Sequence, residues 1–285
     1  MAAPYIDAAF KDKFNSDLHM EYTQKGSLFR GLVRTDGEVD GGTVYFQKLG
    51  TLTMTSKARN GEVPISNPAH NRVSAAMIDK YCRVAIDKLD TRKLSVEVKA
   101  GYASSMAQAA ADNTDDLLID VMDAGATVTV GDYGSSDTDY IDENMSLEIG
   151  EAFDRRNVPR DGNRFCAVTP RQWAALMKID TFRRADFIGS EDLPFKKVGR
   201  VAVTWNDINW FMSNRLNGVA TATAKCLAWH KSAVGHGINA DYSAIWTWNN
   251  PMQAWDGVAA MSQGAVVIDA NGLIEIRVDD TGALP

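Results

Sequence analysis

At 285 residues, 45% hydrophobic and 24% charged, the chain has an ordinary globular mixture with enough apolar side chains for a core, which excludes intrinsic disorder. A formal net charge of −7 argues against a nucleic-acid reader, because phosphate neutralisation needs a basic face. The charge is uneven: residues 100–154 carry thirteen acidic and no basic side chains, whereas 1–99 and 155–285 are each +3.

The first thirty-odd residues read as an arm. Phe10, Phe14, Leu18, Tyr22 and Phe29 begin a helical stripe, but the segment is short, mixed in charge and closed by Gly26 and Gly31. It cannot bury its apolar side alone and must lean on something else. The start, MAAPYIDAAFKDKF, has no basic stretch followed by an apolar one, and no run approaches the roughly 18 apolar residues of a membrane span. Neither a secretory signal nor a transmembrane helix is expected, which points to a chain made and used in a cytoplasm.

Residues 43–57, TVYFQKLGTLTMTSK, are rich in β-branched and aromatic types and predict a strand. SKARNGEVPISNPAHN then supplies Asn60-Gly61, Pro64 and Pro68 of a long polar turn, and RVSAAMIDKYCRVAIDKLD, from Arg72 to Asp90, returns as strand. Together they form an extended two-stranded excursion whose outgoing arm reaches roughly 50 Å at about 3.3 Å per residue. Such a hairpin is marginal alone in water, so its partner is another subunit or else its own domain.

Asp90 and Thr91 are placed to cap a helix beginning near Arg92. Leu94, Val98, Tyr102, Met106, Ala109 and Ala110, Asn113, Leu117 and Val121 mark one face, and Gly125 stands at the stop. The span suits a spine, about 51 Å at 1.5 Å per residue. After it GDYGSSDTDYIDENMS reads as a boundary or loop. FCAVTP is a short strand; Thr169 caps and Pro170 starts a helix carrying Trp173, Leu176 and Met177; VGRVAVTW and DINWFMS are strands. KCLAWHKSAVGHGI is apolar and cut by glycines, and WDGVAAMSQGAVVIDANGLIEIRV reads as strand, Asn271-Gly272 turn and strand, a hairpin.

No residue earns a catalytic, cofactor-binding or metal assignment. Cys82, Cys166 and Cys226 are far apart and read as buried reduced thiols. His230, His236 and Asp241 allow a two-His-one-carboxylate site to be imagined, but the spacing fits no metal-ligand pattern. There is no G-x-S-x-G elbow or phosphate-binding loop, and Gly235-His236-Gly237 reads as a tight turn or close packing. Trp229, Trp246, Trp248 and Trp255 read as core or subunit contact.

The series of parts, and in particular TPRQWAALM, VGRVAVTWNDINWFMSNRL, KCLAWHKSAVGHGI and GAVVIDANGLIEI in that order, resembles the major capsid proteins of tailed bacteriophages, most of all those of short-tailed phages. The resemblance covers nearly the whole chain. It implies an α+β fold of the Hong Kong 97 type: an N-terminal arm over 1–33, an extended E-loop over 34–75, a peripheral domain with its spine helix over 76–125 and 250–285, and an axial domain over 126–249. It further implies self-assembly of identical subunits into pentamers and hexamers of an icosahedral shell enclosing double-stranded DNA. Scaffold and portal proteins would be partners, no membrane would be involved, and the virion capsid would be assembled in the bacterial host cytoplasm. Candidate contacts between subunits are Phe10, Phe14 and Tyr22 on the arm and Tyr45, Phe46, Leu52, Met54, Lys57 and Arg59 on the loop. An acidic inner wall would let packaged DNA slide, with the basic flanks pairing to it across subunits. Two alternatives stand beside this: an encapsulin-like nanocompartment, and a metal-dependent hydrolase built on His230, His236 and Asp241.

Overall fold

Period-two alternation makes the outer strands of this protein, near-continuous apolar runs make its central ones, and spacing of three to four residues makes its helices. The computed structural model describes residues 26–93, 98–133, 140–183 and 202–282. Phe10, Phe14, Leu18, Tyr22, Leu94 and residues 198–201 therefore lie outside the described residues. In chain order the strands are β1 (Glu38–Asp40), β2 (Thr43–Leu49), β3 (His70–Ala76), β4 (Ile78–Asp87), β5 (Val128–Val130), β6 (Arg164–Val168), β7 (Val203–Trp205), β8 (Ile208–Met212), β9 (Ala224–His230), β10 (Val234–Asn249), β11 (Ala254–Val267) and β12 (Leu273–Val278). The helices are α1 (Lys88–Lys93), α2 (Val98–Gly125), α3 (Glu143–Asp154), α4 (Pro170–Leu176) and α5 (Asp180–Arg183). Two compact units emerge, one of 26–27, 77–115 and 238–263, the other of 28–76, 116–237 and 264–282.

The second unit is built on a six-stranded sheet in the order β5-β12-β9-β6-β8-β7. Strand β9 is buried at six of its seven positions, as a central strand must be. Its Trp229 stacks on Phe29 (centroids 5.4 Å apart) and meets Phe211 edge-on at 5.9 Å, while the indole Nε1–H donates to the Leu32 carbonyl at 3.0 Å. The last residues of the expected arm, Phe29 and Val33, are thus core of this unit. Helix α4 starts as its sequence predicts: the Thr169 hydroxyl accepts from the Gln172 N–H and Pro170 takes the first position. Helix α3 is capped by Asp142, which accepts from the Met145 N–H at 2.7 Å, and buries Met145, Ile149 and Phe153.

In the same unit, β2 pairs antiparallel with β3 from Thr43↔Ala76 to Leu49↔His70, and β1 flanks it. The strand expected over 43–57 therefore ends at Leu49. The register explains why: continued, it would set Pro68 opposite Thr51 and Pro64 opposite Thr55, and proline offers no N–H to a ladder. The Asn60-Gly61 turn is present, with Asn60 at φ 66 and the Gly61 N–H donating to the Ala58 carbonyl at 3.0 Å. Val44 and Phe46 on the buried face of β2 lie over Gly235 and Gly237, where added Cβ atoms would come within 2.6 Å of the Phe46 ring and 2.5 Å of Val44. Close packing is thus the purpose of Gly235-His236-Gly237. The Arg34 N–H and carbonyl bond to the same stretch at Val234 and His236.

The first unit carries a three-stranded sheet, order β10-β11-β4, with β11 and β4 antiparallel over ten residue pairs from Ala254↔Asp87 to Gln263↔Ile78. Trp248 meets Trp255 at 5.4 Å, and the Lys99 ammonium lies 3.7 Å from the Trp255 ring centre. Four expectations are corrected. Strands β11 and β12 do not pair; they belong to different sheets, because the Ile268 and Asp269 N–H groups are tied to the Ala233 carbonyl. Asn271 and Gly272 lie in a 3-10 turn without the positive φ that a two-residue hairpin demands. Asp90 lies inside α1 rather than at a cap, and the Asp87 carboxylate accepts from the Leu89 N–H instead. On α2 the buried positions towards Gly125 are Thr114, Asp115, Leu118, Ile119 and Met122, one step round from the expected Asn113, Leu117 and Val121.

Gly235→Ala is expected to lower the unfolding free energy of the isolated subunit by about 1–3 kcal/mol, the usual cost of overpacking. Gly31→Ala, where nothing lies within 4 Å of an added Cβ, is expected to be close to neutral. Chemical denaturation of the two variants checks the pair.

Candidate assembly surfaces

Where β2 and β3 end, the Gly50 N–H donates to the Ala69 carbonyl at 2.8 Å, and the chain between them has no regular structure. Every side chain from Thr51 to Asn60 is exposed. Met54 is 104% exposed, Ile65 88%, Val63 69% and Leu52 59%. Burying such a side chain is worth about 1.5–3 kcal/mol, and four of them on one short stretch make the kind of apolar surface that marks an interaction site. Lys57 and Arg59 are exposed beside them, and the Lys57 ammonium reaches the Gly61 carbonyl at 3.2 Å. Val63 and Ile65 were not singled out from the sequence, because proline neighbours masked any strand pattern there.

Tyr45 is half-buried, with the Arg72 guanidinium 3.6 Å from its ring centre. Phe46 is 1% exposed; its ring is packed inside its own unit and offers no surface to another copy. Lys48 and Asp269 form an ion pair at 2.9 Å that holds the foot of the hairpin. Phe10, Phe14 and Tyr22 lie outside the described residues.

Part of the acidic block meets its counter-charges within the chain. Arg215 binds Asp116 through two bonds of 2.9 and 2.6 Å. Asp123 accepts from the Lys225 ammonium at 2.7 Å and the Asn217 amide at 2.8 Å. Asp154 is held by Arg160 and by Arg164, whose own side chain is buried and also donates to the Pro159 carbonyl at 3.1 Å. The hydrogen bonds from Arg160 and then Arg164 hold the Asp154 carboxyl down at about 2. The pairing expected between copies is thus made internally for these three carboxylates. Asp120, Glu143 and Glu148 remain exposed, and Asp137 and Asp139 lie outside the described residues.

The residues of the hydrolase alternative serve structure. His230 is buried between Ser232, whose hydroxyl is 2.7 Å from Nδ1, and Asp161, whose carboxylate is 3.0 Å from Nε2. The Ser232 N–H also donates to Nδ1, so the ring caps the 3-10 turn at Lys231–Ala233 and ties it to the loop before β6. His236 is buried within β10, and Asp241 is exposed on the same strand. Among the described residues no cluster of three or more His, Cys, Asp or Glu side chains could hold a metal, and no helix is long and apolar enough to cross a membrane. Burial pushes the Cys226 thiol up to about 12 and the Cys166 thiol well up too, which leaves both inert.

A family model described as "Phage capsid protein" matches residues 6–280. Among solved structures, the chain is similar to one from Mycobacterium phage Che8 (18% identity, 95% of this chain and 97% of that one, TM-score 0.74). It is also similar to a chain of the capsid of cyanophage P-SCSP1u (17%, 97% and 95%, TM-score 0.75) and to one of the capsid of Ralstonia phage GP4 (13%, 100% and 99%, TM-score 0.68). No curated protein sequence matches it. These likenesses identify the mixed helix-and-sheet architecture as the Hong Kong 97-type fold. They favour neither the nanocompartment nor the hydrolase.

A carboxylate whose folded pKa is depressed stabilises the fold above its ordinary pKa of about 3.9, and that stability is lost as pH falls through the folded value. Asp154→Asn keeps one acceptor oxygen but removes the charge that Arg160 and Arg164 meet, and because Asp154 is partly exposed the expected cost at neutral pH is about 1 kcal/mol or less. The gap to the parent protein should close as pH is lowered from the ordinary carboxylate range towards about 2. Denaturation curves at stepped pH measure it.

Proposed function

The chain belongs to the phage capsid protein family, and from that premise we propose how its parts divide the work of building a shell. It is a structural major capsid protein, copies of which make up an icosahedral virion capsid. In our reading the copies form pentamers and hexamers through heterologous contacts, in which each 34–75 segment lies across a neighbour's 76–125 segment. Residues 1–25, with Phe10, Phe14 and Tyr22, bind beneath an adjacent subunit, while Phe29 and Val33 anchor them to their own. The unit of 77–115 and 238–263 acts as the peripheral domain, and the unit holding the six-stranded sheet, to which β12 belongs, as the axial one. Leu52, Met54, Lys57 and Arg59 carry the loop contact; Tyr45 and Phe46 brace it from within.

The observation that supports this reading most is the run of exposed apolar side chains at Leu52, Met54, Val63 and Ile65 on a stretch whose foot is firmly packed. An isolated subunit gains nothing from them; a neighbouring copy does. Each contact is modest, and repetition around closed rings makes the whole hard to dissociate. We assign the exposed carboxylates Asp120, Glu143 and Glu148 to the wall facing double-stranded DNA, where like charge prevents sticking. Assembly then takes place in the host cytoplasm with scaffold and portal proteins, and the chain's role is architectural rather than catalytic.

The protein, expressed alone and with a scaffold, is expected to give closed shells by negative-stain electron microscopy; uniform monomers under every condition overturn the reading. Replacing residues 51–68 by a Gly-Ser linker is expected to abolish shells while the subunit keeps its denaturation midpoint. Mapping Asp120, Glu143 and Glu148 to the outside of an assembled shell removes the DNA-facing assignment.

A further inference from the structure

We propose that an apolar pocket in the first unit is the seat for the Met54 side chain of a second copy of this chain. The inference rests on the shell reading above and names the receiving site for its loop contact. The pocket has a volume of about 210 Å3 and lies between α2 and the β10-β11-β4 sheet. Met106 and Ala110 line it from the helix, Cys82, Ala259 and Met261 from the sheet, and Tyr242 closes one side. Short side chains leave room in it, with Ala109 and Ala110 on the helix and Ala259 on the strand among its lining. The wall is already committed, since the Tyr242 hydroxyl donates to the Ala103 carbonyl at 3.4 Å and the Asn113 amide reaches the Met261 sulfur at 4.0 Å.

The occupant follows from shape, charge and elimination. Met54 is the most exposed large apolar side chain described, so it fills no cavity of its own chain. It stands alone between Thr53 and Thr55, and an unbranched thioether adapts to an irregular slot better than the branched Leu52, Val63 or Ile65. The basic pair Lys57 and Arg59 follows it within five residues; the pocket's helix carries Asp112 and Asp115 with no basic residue from Ala100 to its end, and Lys80 stands on the sheet side. The helix side of the socket is thus opposite in charge to the residues that follow the knob. The chain's own leading segment is disfavoured. The Gly26 N–H bonds to the Gln108 side chain at 3.0 Å, and at about 100° per residue Gln108 lies about 160–200° round the helix from Met106 and Ala110.

Cys82 in the pocket wall makes the contact testable, because Cys166 and Cys226 are fully buried and cannot compete. Assembled shells of Met54→Cys, oxidised with copper-phenanthroline and oxygen, are expected to give a ladder of disulfide-linked subunits on a non-reducing gel, as head-to-tail rings require. Adding Cys82→Ser should abolish the ladder, and Ser66→Cys alone should give none. Normal Met54→Cys shells without a ladder, or a ladder that survives Cys82→Ser, overturn the proposal while leaving the shell reading intact. So does a ladder from Tyr22→Cys through Cys82 with none from Met54→Cys, which would give the socket to the arm. Failure of the parent protein to form shells is a different result and strikes the shell reading itself.

Discussion

The closeness of β2 to the start of β10 governs what the rest of this molecule can do. Val44 and Phe46 approach Gly235 and Gly237 so nearly that only the absence of a Cβ admits them. That contact fixes the foot of the hairpin, and the Lys48–Asp269 pair and the Tyr45–Arg72 contact reinforce it. A firm foot is what allows a long exposed stretch beyond it. Were the foot loose, the apolar side chains at Leu52, Met54, Val63 and Ile65 would collapse onto the nearest surface of their own chain, because nothing would hold them away from it.

Behind the foot stands the aromatic group of Phe29, Phe211 and Trp229, which anchors the end of the leading segment to the central strand of the six-stranded sheet. The electrostatics follow the same division between internal and external use. Asp116, Asp123 and Asp154 are neutralised by Arg215, Lys225, Arg160 and Arg164 of the same chain, so these carboxylates fasten elements to one another. Asp120, Glu143 and Glu148 stay at the surface, where in the role assigned to them they carry a field outward. A block that looks uniform in sequence thus does two jobs.

What the sequence made legible was decided by two or three neighbouring residues. Thr169-Pro170 opens α4, Gly125 closes α2 and Asn60-Gly61 turns the chain, because each depends on local backbone chemistry. What it hid was decided by partners far away. The end of β2 depends on which residues of the return limb come opposite, and only the register reveals that they are prolines. Asn271-Gly272 has hairpin chemistry, yet bonds to Ala233 send its flanking strands to different sheets. Leu117-Leu118-Ile119 is apolar on every side, so periodicity could not say which face the second unit would bury. Phe46 and Met54 share a segment and a hydrophobic character; one is core and the other fully exposed, and only a pair of distant glycines separates them.

The composition of the exposed stretch also limits how another copy can meet it. An open strand edge rich in apolar residues pairs indiscriminately through its backbone, which is the route to aggregation. Here Pro64 and Pro68 remove N–H donors from the return limb, and the turn at Asn60 breaks the run. Backbone pairing is thereby penalised while the apolar side chains stay available, so recognition must come from side chains entering shaped sites. Such recognition is selective where backbone pairing is not. A subunit made in many copies needs that selectivity, since every copy carries the same exposed stretch and must accept one neighbour in one register rather than any strand it encounters.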